Sequence, residues 1–244
     1  KPDEKVGVVF EQFLRLLIYC GLPSQDSDLI YCNGSTMAQL IKQGKEKIRM
    51  IQFTGSSDVA HQIIQEMDGK VKIEDAGFDW KIIGPDYDPQ WSDYVAWQCD
   101  EDAYNASGQK CSAQSILFVH ENWQEDLLPK IKTLAERRKL DNLSIGPVLT
   151  WNNNQLFNHI NQLLTIPDAV CLFGNEPLEN HNIPTNYGAI KPTAIQIPIE
   201  HLMTEYFDLI TREVFGPIQV VISYNLDTLP IVLKGLEHIP HNLS

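Results

Sequence analysis

The stretch Ile48-Arg49-Met50-Ile51-Gln52-Phe53-Thr54-Gly55-Ser56-Ser57-Asp58-Val59-Ala60-His61-Gln62-Ile63-Ile64 changes character at its middle. Residues 48–53 read as a strand, and Val59, Ile63 and Ile64 share a face only on a helix. Thr54-Gly55-Ser56-Ser57 makes the tight turn between them, and residues 70–74 then alternate like another strand. Strand, turn, helix, strand is what a parallel α/β layer looks like in one dimension.

The reading extends in both directions. Upstream, Val6, Val9, Phe10, Phe13, Leu14, Leu17 and Ile18 recur at helical spacing until Gly21 and Pro23 stop the pattern. Residues 28–31 read as a short strand and 36–41 as a short helix. Downstream a second unit is expected, with helices over 93–106, 123–138, 152–164 and 226–236 and strands over 112–120, 169–173, 193–197 and 218–223. Two domains are therefore expected, 1–80 and 81–244.

Composition narrows the function classes. The 244 residues carry 19 basic and 32 acidic side chains, a net charge of −13, which argues against nucleic acid or an anionic membrane as partner. No apolar run reaches the roughly 18 residues of a membrane span, because Glu11, Gln12 and Arg15 interrupt residues 6–20. The 5 cysteines include no Cys-x-x-Cys pair and read as reduced thiols, neither a disulfide framework nor a zinc ribbon. His238 and His241 lack a second ligand pair, so no metal is expected.

Five short motifs could carry chemistry. They are Lys1-Pro2-Asp3-Glu4, Phe53-Thr54-Gly55-Ser56, Glu74-Asp75-Ala76-Gly77, Gly108-Gln109-Lys110-Cys111 and Arg212-Glu213-Val214-Phe215-Gly216-Pro217. Backbone N–H groups at a helix start suit phosphate oxygens, yet without Gly-x-Gly-x-x-Gly the turn at 53–56 serves equally as a plain connection. Cys111 reads either as a small buried residue or as an exposed thiol tuned by a neighbouring Lys. Glu74 and Glu213 are surface carboxylates unless a reactive centre lies near.

In this order the five motifs resemble those of the aldehyde dehydrogenase superfamily along the whole chain. Glu74-Asp75-Ala76-Gly77-Phe78-Asp79-Trp80-Lys81, Gly108-Gln109-Lys110-Cys111-Ser112-Ala113-Gln114-Ser115 and Ala135-Glu136-Arg137-Arg138-Lys139-Leu140 are similar to its plant-type Δ1-pyrroline-5-carboxylate dehydrogenase branch. The resemblance implies an α/β fold, with a partial Rossmann-type dinucleotide-binding domain and a partial α/β catalytic domain. It also implies NAD-dependent oxidation of L-glutamate γ-semialdehyde to L-glutamate in proline catabolism, in the mitochondrial matrix. The partners it implies are a small-molecule aldehyde and, in a full-length parent, further copies of the same chain.

Carried over by motif, Cys111 would be the nucleophile and Glu74 the base that activates water. Ser112 would lie beside the substrate. Lys1 and Glu4 would hold the adenosine ribose, Gly55 and Ser56 the pyrophosphate, and Glu213 and Phe215 the nicotinamide ribose. A carboxylate at the adenosine ribose repels a 2′-phosphate, which favours NAD over NADP. Ala76-Gly77-Phe78 stands where the family has Gly-Gly-Lys, and Asp3 where it has Ser. Family chains are about twice as long, so the 244 residues are expected to be an internal fragment, inactive alone for want of the oxyanion-hole Asn. Rival readings are a non-catalytic assembly subunit, an enzyme for another aldehyde, or one that releases its thioester to coenzyme A.

Overall fold

Periodicity places the elements; pairing and burial decide what they do. In this computed structural model, residues 1–3, 5–75 and 77–239 are described, and the chain divides into two compact units, Lys1–Ala76 and Gly77–Ser244. The smaller unit runs α1 (Gly7–Tyr19), α2 (Gly34–Gly44), β1 (Ile51–Thr54), α3 (Ser57–Glu66) and β2 (Val71–Glu74). β1 and β2 pair in parallel, with Phe53 opposite Ile73 and Thr54 opposite Glu74. Ile51, Phe53, Val71 and Ile73 are half-buried while the residues between them are exposed, the period of two that a one-sided sheet imposes.

The strand expected over 28–31 does not form, because this extended segment finds no ladder partner among the described residues. Tyr31 instead donates its hydroxyl to the Gly7 carbonyl (2.7 Å), and its ring occupies the space a side chain at position 7 would need. α1 forms where the apolar spacing places it, but Val8, Val9, Phe10 and Phe13 remain exposed.

The larger unit runs β3 (Asp79–Ile83), α4 (Ser92–Tyr104), β4 (Gln114–His120), α5 (Glu121–Glu136), α6 (Asn153–Leu163), β5 (Val170–Phe173), β6 (Thr193–Gln196), α7 (Phe207–Ile210), β7 (Ile218–Tyr224) and α8 (Leu229–His238). Its sheet has the order β3-β4-β7-β6-β5, parallel except for the antiparallel edge strand β5. β3 was not foreseen. As the other edge strand it carries an exposed Trp80 and, among the described residues, pairs on one side only, so the unit begins at Gly77 rather than residue 81.

Helices cover both faces of this sheet, which is why β4 reads as a continuous apolar run. Ile116 and Phe118 of β4, with Val220 and Ile222 of β7, pack on Leu156, Ile160 and Leu163 of α6. Leu117, Val119 and Val221 face the opposite way, onto Ala103 of α4 and Leu127 and Ile131 of α5. α6 starts on a reciprocal cap: Asn152 Oδ1 accepts from the Gln155 N–H and Gln155 Oε1 from the Asn152 N–H, both at 3.0 Å.

Candidate active site

At the amino ends of β4 and β7, two loops of the larger unit converge. Beneath them Tyr104, fully buried at the end of α4, accepts from Gln219 Nε2 (2.7 Å) and donates to the Thr193 carbonyl (3.1 Å). Gln114 Nε2 donates to Gln219 Oε1 (2.6 Å), so one buried polar chain joins the starts of β4, β7 and β6 to α4. Burial pushes the Tyr104 phenol well above its usual range, keeping it a neutral donor.

The chain leaving Tyr104 passes through Ala106, Ser107 and Gly108 in left-handed conformation, with φ of 54°, 58° and 66°. For Ala106 and Ser107 that is a strained choice, of order 1–3 kcal/mol each, and it persists only where surroundings enforce it. Here they do. Ser107 Oγ donates to the Gly146 carbonyl (3.1 Å) and accepts from the Gly146 N–H (2.8 Å). Gln109 Oε1 accepts from the Leu149 N–H (2.8 Å) while its Nε2 donates to the Pro147 carbonyl (2.9 Å).

Gly108 lies so close to the Gly216 carbonyl that a Cβ would sit 2.3 Å from its oxygen. Two motifs more than 100 residues apart thus meet: Gly108-Gln109-Lys110-Cys111 and Glu213-Val214-Phe215-Gly216-Pro217. Cys111 and Ser112 stand exposed in the turn before β4, while the Lys110 ammonium is committed to the Glu101 carbonyl (3.1 Å). Phe215 adopts φ 53°, a conformation unusual for a bulky residue. Glu213 is half-buried; burial pushes its carboxyl up to about 7, the nearby Asp79 charge adds to this, and a bond to the Gly77 backbone opposes it.

Lys110, Gln114, His159, Arg212, Glu213 and Phe215 line a small cavity of about 10 Å³, room for roughly one water. Gln114 Oε1 and His159 Nδ1 are buried without a hydrogen-bond partner. Burial, and secondarily the Arg212 charge, holds the His159 imidazole down to about 4, so it is neutral. Sequence reading passed over both residues. The available signal was a histidine inside the Leu156, Ile160, Leu163 apolar stripe of α6.

In the smaller unit the Gly55 N–H donates to the Glu74 carbonyl (3.1 Å), placing the turn at 53–56 beside Glu74 at the carboxyl ends of β1 and β2. That end of a parallel layer is where α/β proteins bind ligands. A side chain at position 55 would meet the Phe53 ring at 2.6 Å. Ser56 precedes α3 without a capping hydrogen bond from its side chain, and the Ser57 hydroxyl is buried without a partner. Open backbone N–H groups with an orphaned hydroxyl are a donor set that fits the phosphates of a dinucleotide. Lys1 is exposed, and Glu4 lies outside the described residues. Glu74 is exposed rather than shielded from solvent, since it falls on the open face of β2. Cys111 and Glu74 belong to different units.

Comparison with known proteins is consistent along the chain. The profile of the aldehyde dehydrogenase family matches residues 1–229. The chain is 51% identical over 247 residues to Delta-1-pyrroline-5-carboxylate dehydrogenase 12A1, mitochondrial, of Arabidopsis thaliana, covering 100% of this chain and 44% of that protein. A probable aldehyde dehydrogenase of Linum usitatissimum is also 51% identical, over 246 residues and with the same coverage. A crystal structure of proline utilization A from Bradyrhizobium japonicum superposes with a TM-score of 0.80 at 24% identity, covering 99% of this chain and 24% of that one, which speaks to fold alone. The chain thus spans less than half the length of the curated relatives it matches.

Proposed function

Because this chain belongs to the aldehyde dehydrogenase family, we propose that it is part of an NAD-dependent dehydrogenase that oxidises L-glutamate γ-semialdehyde to L-glutamate. The observation that carries the reading is the exposed Cys111 thiol at the end of a strained loop pinned on two sides. The 51% identity to a protein named as a pyrroline-5-carboxylate dehydrogenase supports the substrate, and the word mitochondrial in that name supports the matrix as compartment. The full-length parent is read as a homo-oligomer, on the family resemblance.

In this mechanism the Cys111 thiolate adds to the aldehyde carbon, giving a thiohemiacetal on its own sulfur. Bound NAD supplies a hydride acceptor. Cys111 then holds the acyl group as a thioester until a water deprotonated by the Glu74 carboxylate cleaves it. Gly55, Ser56 and Ser57 would hold the pyrophosphate at the start of α3, Lys1 and Glu4 the adenosine ribose, and Glu213 and Phe215 the nicotinamide ribose. Ser112 would border the aldehyde. Acyl transfer to a thiol needs no activated water, so retention of Glu74 favours hydrolysis over release to coenzyme A.

The test is made on the full-length polypeptide with glutamate semialdehyde and NAD. Cys111→Ala should abolish NADH formation, and Glu74→Gln should leave an initial burst but stop turnover. NADH formation that survives Cys111→Ala would overturn the reading. So would a Glu74→Gln protein that turns over at the wild-type rate.

A further inference from the structure

We propose that Ser107 is the positioning residue for the Cys111 thiol, acting through a clamp in which two side chains imitate a strand neighbour. The inference rests on Cys111 being the reactive thiol, and it adds a residue that no motif resemblance marks.

The geometry has three parts. Side chains at 107 and 109, two residues apart, make four hydrogen bonds to the backbone of 146, 147 and 149, each both donating and accepting. A β-ladder satisfies a neighbouring strand in the same reciprocal way. Between them Gly108 turns to the other side and abuts the Gly216 carbonyl, where no side chain fits. The loop is therefore held from two directions just before it delivers Cys111.

Ser107 is the member whose chemistry is hardest to replace. It is 2% exposed, and its single hydroxyl serves both the N–H and the C=O of Gly146. Alanine can do neither, and a β-branched threonine is poorly suited to φ 58°. Without its hydroxyl the Ala106-Ser107 turn loses both bonds that tie it to Gly146, and the loop keeps only the Gln109 and Gly108 contacts. The sheet beneath does not depend on this contact, because Tyr104, Gln114 and Gln219 tie the strands independently. Loss of the clamp should therefore move the thiol without unfolding the unit.

The test uses the whole chain and needs no catalytic activity. Alkylation by iodoacetamide is followed site by site with peptide mass spectrometry over a range of pH, with exposed Cys20 as internal reference. In Ser107→Ala and Ser107→Gly the Cys111 profile should depart from that of the wild type, with the neutral-pH rate, normalised to Cys20, changed by roughly threefold or more. Glycine is comfortable at this φ, so Ser107→Gly keeps the test alive should Ser107→Ala fail to fold.

Variants that leave the Cys111 profile unchanged would overturn the proposal. So would a Ser107→Gly protein that behaves as wild type, since the hydroxyl would then not be what positions the thiol. A displaced Cys111 profile in a protein whose Cys111→Ala variant still oxidises the semialdehyde would refute the enzymatic reading and leave the clamp standing.

Discussion

Arg138→Met should destabilise the larger unit by about 3 kcal/mol, because it strands a carboxylate in the interior. Asp100 is 0% exposed on α4. Arg138 meets it with Nη2 at 2.6 Å from Oδ2 and Nε at 3.3 Å from Oδ1, while Nη2 also reaches Glu101 (2.8 Å) and Nη1 the Ser144 carbonyl (3.2 Å). Removing one partner of a buried pair costs roughly 3–5 kcal/mol, since the remaining charge is left uncompensated. The substitute counter-ion is Arg137, 3.5 Å from Asp100 Oδ2 but 51% exposed, and so worth about 1 kcal/mol at most. The lower end of that range follows, and with it a fall in Tm of about 6–12 °C for a unit this size. All 5 tryptophans lie between residues 80 and 151, so their fluorescence during urea unfolding reports this unit alone. Asp100→Asn combined with Arg138→Met should cost less than the sum of the single changes by about 1–3 kcal/mol. An Arg138→Met protein within about 1 kcal/mol of wild type, or strict additivity in the double variant, would refute the reasoning.

Three further outcomes are expected. His159 is buried neutral at about 4 against 6.5 when unfolded, so its contribution to stability is complete above 6.5 and lost as pH falls toward 4. A gap of about 2.5 pH units corresponds to at most ~3 kcal/mol, and in urea titrations His159→Leu should flatten the acid limb by up to that amount. Glu213 has the opposite sign: its folded value, about 7, lies above the ordinary 4.5, so its contribution is complete below 4.5 and lost as pH rises through 7. Glu213→Gln should therefore gain on wild type between pH 4.5 and 7, and identical pH dependence of the two proteins would count against a protonated Glu213. Gly108→Ala places a Cβ 2.3 Å from the Gly216 oxygen at φ 66°, and should lose about 2 kcal/mol or more in the same fluorescence assay.

What was legible in the sequence was whatever neighbouring residues settle among themselves. The βα turn at 53–56 announces itself because strand period, turn and helix period follow one another within a few residues. α6 does so through its cap and apolar stripe. Pairing is not local. Residues 28–31 have the composition of a strand and no ladder partner among the described residues, while β3 contains Asp79 and Lys81, alternates poorly, and is a strand because β4 lies beside it. The candidate site divides along the same line. The motif at 108–111 can be read letter by letter, but its contact with Gly216 is made by the sheet that brings the amino ends of β4 and β7 together.

One signal of that convergence was nevertheless present. Three of the buried strands carry a polar residue near their amino end: Gln114 before Ile116-Leu117-Phe118-Val119, Thr193 before Ala194-Ile195, and Gln219, second in β7, before Val220-Val221-Ile222. A polar side chain at the head of a fully buried strand costs free energy unless it is hydrogen-bonded. Two such amides on neighbouring strands can satisfy one another, while the Thr193 hydroxyl accepts from the Asn175 N–H and donates to the Lys191 carbonyl. Gln114 and Gln219 do bond each other, and Tyr104 closes the chain onto the Thr193 carbonyl. Those polar heads mark the amino edge of the sheet as the place where hydrogen-bonded structure is concentrated, and the loops carrying Cys111 and Glu213 enter the sheet at that edge.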